Sequence, residues 1–133
     1  MDEKNRIHLH SKIKQVATNI AKAYGAKAKV KIMYGYPTLI NDNELTLNAF
    51  DHAKDFMGSK NVVRLEKRMT AEDFSYYSQM MPACFYRLGT RNEKRGITSP
   101  VHTPTFDIDE KALKTGVGLM TYLAVKYLSL IHI

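Results

Sequence analysis

The sequence predicts an α/β fold, preceded by a helix and a strand that differ from it in kind. Three observations predict it. From Asn41 onward helical and strand patterns alternate as helix, strand, helix, strand, helix, the order of a sheet with helices packed on it. Before that, one strand carries lysines along a single face. Between the two lies Gly35-Tyr36-Pro37, a break in both patterns and the natural place for a domain boundary or hinge.

The first element is an amphipathic helix from about Glu3 to Tyr24. Leu9, Ile13, Val16, Ile20 and Tyr24 recur at spacings of three and four, which makes one apolar stripe. Gly25 stands where a left-handed C-terminal cap is wanted. Ala28, Val30, Ile32 and Tyr34 then alternate with Lys27, Lys29, Lys31 and Met33, the pattern of a strand wet on one face. Asn41 begins the next helix, with Glu44 as its capping-box partner. Its buried face includes Leu45, Phe50, Ala53 and Met57, and Gly58 closes it. Val62, Val63 and Leu65 read as a short strand. Thr70 and Asp73 resemble another helix start, with Phe74 and Tyr77 facing inward and Pro82 as the stop. Ala83 to Leu88 is a second apolar strand, ending at Gly89, and Thr90 to Pro100 is a polar loop. Asp107 and Glu110 cap a last long helix, whose expected buried stripe is Leu113, Gly116, Val117, Met120, Leu123, Ala124, Tyr127 and Leu128. Two strands cannot make a stable sheet by themselves, so both halves read as parts of something larger.

Composition narrows the function. The 133 residues are 44% hydrophobic and 25% charged, which fits a globular chain and excludes a disordered one. The most apolar stretch is interrupted by Lys126, so no membrane span is expected. The opening residues are charged where a signal peptide needs an apolar run, and the single cysteine, Cys84, allows no internal disulfide. Both point to the cytoplasm. A net charge of +7 invites nucleic-acid binding, but no aromatic-basic motif, paired Cys/His finger or arginine-rich run accompanies it. No nucleic-acid partner is expected.

Three clusters can carry chemistry. Glu72 and Asp73 are paired carboxylates at a helix start, where dipole complementarity and capping explain them without any function. Gly89 ends an apolar strand, the end at which α/β sheets bind ligands, although a glycine there is common. His102 lies in the loop Val101-His102-Thr103-Pro104, and one imidazole does not make a metal site. The other histidines are weaker. His8 and His10 point to different sides of a helix, His52 falls on the polar side of its own, and His132 is in the tail.

In order, the pieces are more specific than any one of them. Tyr36-Pro37, Asn41-Asp42, Met69-Thr70-Ala71-Glu72-Asp73-Phe74-Ser75, Pro82 with Leu88-Gly89, His102-Thr103-Pro104 with Phe106-Asp107 and Glu110, and then Gly116 follow one another. This succession resembles the C-terminal part of the metal-dependent amidohydrolases and peptidases that include aminoacylases, hippurate hydrolases and indoleacetyl-amino-acid hydrolases. The resemblance implies that residues 1–35 are the last helix and strand of a ferredoxin-like lid through which such proteins often dimerise. Residues 36–128 then form the C-terminal part of a two-metal catalytic α/β domain, and 129–133 are an unmatched tail. It further implies two divalent ions (zinc, manganese or cobalt) that activate a water and polarise the scissile amide, with a glutamate as general base. His102 matches the family's last histidine ligand, and Glu72 and Asp73 match its acidic motif beside the active site.

The other ligands and the glutamate base of that family come from segments upstream of the lid, and none is in this sequence. The resemblance therefore implies a fragment of an N-acyl-amino-acid amidohydrolase that is inactive alone and holds no tight metal. Its partners would be a small N-acyl amino acid, the missing N-terminal part and a second copy. Two readings of other classes remain: a non-catalytic binding or dimerisation module, and a small basic interaction domain.

Overall fold

A computed structural model describes residues 3–131. His132 and the end of the unmatched tail lie outside the described residues. The chain divides into two compact units. The first runs to Asn41 and adds Glu66–Ala83; the second is Asp42–Leu65 with Cys84 onward. These are packing units.

In the first unit, helix α1 spans Glu3–Ala23. Its opening turn is tied by Arg6, whose guanidinium donates to both carboxylate oxygens of Glu3 at 2.8 and 2.6 Å. It ends as the sequence predicts. Gly25 takes φ 71°, its N–H reaches Lys22 O at 3.0 Å, and Ala26 N reaches Ala21 O at 2.8 Å. These two bonds satisfy carbonyls that the helix end would orphan, and the left-handed residue between them favours glycine. The apolar stripe forms too, but it is uncovered: Leu9, Ile13, Val16 and Ile20 are all exposed.

The lysine segment after Gly25 is not a strand. It passes back along α1 with Tyr34 against the ring of His10, centroids 4.9 Å apart, and with Arg6 over the same tyrosine. The expected strands at 62–65 and 83–88 are also absent, so the described residues contain helices and turns and no sheet. The reason is physical. A strand's N–H and C=O groups need a neighbouring strand, whereas a helix satisfies its own. Among the described residues these segments find no neighbouring strand to pair with, so no sheet forms.

Helix α2, in the second unit, spans Asn43–Met57. Its cap is Asp42, whose carboxylate accepts from Leu45 N at 2.8 Å, and not the expected Asn41–Glu44 box. A short carboxylate at the positive end of a helix bonds that amide directly. Gly58 closes the helix at φ 83°. Helix α3, back in the first unit, covers Ser75–Met80 and starts later than the Thr70–Asp73 signal predicts. Tyr77 is exposed, and the side chain that is fully buried is Ser75.

Helix α4 spans Lys111–Ile131 and packs on α2. Here the predicted face is covered only in part: Gly116 and Leu123 are half-buried, but Leu113 is exposed. Val117 is 70% exposed and Met120 63%, while Leu119 is 4% exposed. The two glycines of α4 decide the face. A Cβ at Gly118 would stand 2.9 Å from Phe56 Cζ, and one at Gly116 would stand 2.9 Å from Leu88 Cδ2. Both approaches exist only because those side chains are missing, and Tyr122 completes the contact against Phe56 at 5.3 Å. His52 is not on a polar face. It is half-buried and edge-on to Tyr122, with its Nδ1 unbonded and 3.8 Å from Asp55. Among the described residues no helix is long and apolar enough to cross a membrane.

Candidate active site

The acidic pair belongs to the first unit. Glu72 is half-buried and Asp73 exposed, and no described hydrogen bond or ion pair engages either carboxylate. The turn beneath them is fixed by Ser75, whose hydroxyl and backbone N–H both donate to Glu72 O. Asp73 O accepts from Tyr76 N at 3.0 Å. Helix α3 starts at Phe74 without a side-chain cap, so capping does not explain the two carboxylates. Their backbone is held while their side chains stay free. Tyr36 packs edge-on against Tyr76 at 5.9 Å and Gln79 donates to Thr38 O at 3.0 Å, which fastens the Gly35–Thr38 segment to α3.

Gly89 and His102 belong to the second unit, and both are exposed. Nothing lies within 4 Å of a Cβ built on Gly89. His102 differs from every other described non-glycine residue in having a positive φ, 67°. Histidine tolerates that region better than most residues, but the conformation still costs about 1–2 kcal/mol. Loop bonds sustain it. Thr103 Oγ1 donates to Pro100 O at 2.8 Å, the Ser99 and Thr105 hydroxyls meet at 2.8 Å, and Phe106 N reaches Thr103 O at 3.1 Å. No described hydrogen bond holds the imidazole itself. A side chain left free on a strained, braced loop is a common arrangement for a ligand.

A cluster that neither composition nor periodicity signals lies at the start of α4. Asp109, and not the expected Asp107–Glu110 pair, begins this helix by accepting from Lys111 N at 3.2 Å. Its carboxylate also accepts from Asn92 Nδ2 and, at 3.0 Å, from Arg95. Among the described residues the Asp107 carboxylate accepts from its neighbour, Ile108 N, at 2.8 Å. The Asn92 hydrogen bond first, then the Lys111 amide and Arg95, hold the Asp109 carboxyl below its ordinary value of 3.8, against the raising effect of burial.

No three described His, Cys, Asp or Glu residues could together hold a metal ion. His102 offers one nitrogen, and one donor cannot enclose an ion. The described residues therefore fit a contribution to a metal centre and not a whole one.

The acidic pair lies in one unit and His102 in the other. The chain belongs to peptidase family M20/M25/M40, whose pattern matches residues 4–126. It is 37% identical over 129 residues to "Thermostable carboxypeptidase 1" of Saccharolobus solfataricus, covering 96% of this chain and 32% of that protein. "IAA-amino acid hydrolase ILR1-like 6" of Arabidopsis thaliana is 32% identical over 127 residues, with 92% of this chain and 27% of that protein covered. "Putative amidohydrolase YhaA" of Bacillus subtilis is 32% identical over 126 residues, with 95% and 32% covered. The chain thus spans about a third of the length of the curated relatives it matches. No solved structure gives a significant match.

The Asp109 cluster makes a prediction about pH. Because the folded pKa is depressed, the carboxylate adds stability above its unfolded value of 3.8 and loses it as pH falls through the folded value. In a protein of whole-family length, Asp109→Asn is expected to lower the melting temperature at neutral pH. The gap to the parent should close below about pH 4. Melting curves from about pH 3 to 7 check it; a gap that persists unchanged at the acid end contradicts it.

Proposed function

We propose that this chain is the C-terminal part of an N-acyl-amino-acid amidohydrolase, which hydrolyses the amide between an acyl group and an amino acid or small peptide. The observation that carries the proposal is the match of nearly the whole chain to about a third of several relatives named as amidohydrolases or peptidases. In this reading residues 1–35 end the lid and 36–128 close the catalytic domain. Two divalent ions, zinc, manganese or cobalt, would supply Lewis acidity when bound. His102 would give one of them a neutral nitrogen, and its exposed ring on a left-handed backbone supports that role. Glu72, Asp73 and Gly89 would lie beside the substrate. The two carboxylates organise the site and do not bind metal; their lack of capping and ion-pair duties supports this. The general base would come from the upstream part. A cytoplasmic homodimer joined through the lid completes the proposal, and the uncovered stripe of α1 supports a further surface against it.

The test compares this chain alone with the chain joined to the upstream part of its own gene or of a relative. N-acetyl and N-benzoyl amino acids serve as substrates. The joined protein is expected to hydrolyse them, while the chain alone stays at background and keeps no stoichiometric zinc or manganese through dialysis. Turnover or retained metal in the chain alone would refute the division of labour proposed here.

A further inference from the structure

The excursion that carries His102 is closed at its base by a backbone hydrogen bond and by one side chain. The segment leaves at Thr90 and returns at Asp109, whose N–H donates to Thr90 O at 2.9 Å. Just inside the exit, Asn92 and Ile97 exchange two backbone hydrogen bonds, each 2.9 Å, around the turn Glu93–Arg95. Ile97 is buried, which anchors this turn in the unit. The Asp109 carboxylate then spans the gap. One oxygen takes the Asn92 amide, and the other takes Arg95 at 3.0 Å and Lys111 N at 3.2 Å. A single carboxylate thus joins the outgoing turn, the returning limb of the loop and the first turn of α4.

The remaining loop bonds act at a different level. Those among Ser99, Pro100, Thr103, Thr105 and Phe106 set the loop's local path but tie it to nothing outside itself. Where the loop stands relative to α4 depends on its base. A metal ligand has to be held within about 0.5 Å of its productive position by the groups that support it.

We infer that Asp109, clamped to Asn92 and Arg95, is a positioning residue that fixes the His102 loop for metal ligation. The inference rests on the reading of His102 as a ligand. Asp109 touches neither metal nor substrate; it acts through the loop base. Capping of α4 uses only the bond to Lys111 N, so the bonds to Asn92 and Arg95 serve the loop.

The experiment uses the joined, full-length protein and three variants: Asp109→Ala, the double variant Asn92→Ala/Arg95→Ala, and His102→Ala. The double variant keeps Asp109 and the start of α4, and it decides the matter if Asp109→Ala fails to fold. Zinc dissociation constants come from chelator competition, ligand geometry from the visible absorption of the cobalt-substituted protein, and fold from metal-free melting. The double variant is expected to bind zinc about tenfold more weakly, the scale of losing a group that orients a ligand. Its cobalt spectrum should change, while the metal-free protein, somewhat less stable, still unfolds in one cooperative step. Parental zinc affinity in the double variant, with affinity lost in His102→Ala, would overturn this inference and leave the reading of His102 standing. Parental affinity in His102→Ala would remove that reading and this inference with it. Loss of a cooperative metal-free transition in the double variant would also overturn it, since the clamp would then be needed for the fold itself.

Discussion

In the full-length protein, His102→Ala is expected to cut amide hydrolysis by orders of magnitude and to release metal, with the fold intact. Loss of a group that merely supports a ligand costs about 10–100-fold in affinity or activity, so loss of the ligand itself should exceed that. The backbone provides a sharper form of the test. At φ 67° a non-glycine residue carries about 1–2 kcal/mol of strain, which His102→Gly would relieve. Glycine also loosens the unfolded chain, at a cost of about 0.4–1 kcal/mol. The first effect is the larger, so His102→Gly should leave stability unchanged or raise it by up to about 1.6 kcal/mol. A substitution that stabilises the protein while abolishing activity and metal binding marks a residue kept for function. His8→Ala, on an exposed face of α1, serves as the control. His52, half-buried beside Tyr122, cannot serve, because its removal disturbs packing. If His102→Ala retains near-normal turnover and metal, His102 is a surface residue and the chain has no ligand.

What was legible in this sequence divides along a physical line. Helices carry their hydrogen bonds internally, and the bounds of α1 and the closing glycines Gly25 and Gly58 could be read from residues alone. The strands at 28–34, 62–65 and 83–88 could not form, because their pattern describes a partner that the described residues do not include. Helix starts were misplaced by a few residues because several acceptors compete within one turn. Asp42 and Asp109 took the roles expected of Asn41 with Glu44 and of Asp107 with Glu110. The packed face of α4 was misread in part because Gly118 and Tyr122 fall among Lys111, Lys114, Thr115 and Lys126, on the side that periodicity reads as polar. The choice fell to Gly118, which admits Phe56, a contact invisible to periodicity. His102 was reached through the order of motifs and not through spacing; its left-handed backbone supplied a second, independent reason to single it out. The Asn92–Arg95–Asp109 cluster was missed altogether. Its members lie 17 and 14 residues apart across a loop without pattern, and only the folded path brings them together.

Expressed alone, this chain is expected to associate. The stripe of α1, with Ile13, Val16 and Ile20, lies in the open, and so does the row Leu113, Val117 and Met120 on α4. Fully burying one such side chain is worth about 1.5–3 kcal/mol, so two uncovered rows represent a sum comparable with the whole stability of a domain, about 5–15 kcal/mol. Contiguous apolar surface of that kind on a soluble chain is covered by a partner or drives self-association. Sedimentation should therefore show concentration-dependent oligomers, and heating should give a broad transition in place of a cooperative one. Lysine provides the discriminating variant. Ile13→Lys with Val117→Lys places a charge in the middle of each row and touches neither Gly118 nor Leu119, so it should reduce association without loosening the α2–α4 contact. Joining the upstream part should have the same effect by covering the rows, and in that context the two lysines should destabilise the protein. The opposite sign of one substitution in the two proteins is the expected signature of surfaces meant to be buried. A monodisperse monomer with a sharp melt, indifferent to both lysines, would instead make this chain a complete domain.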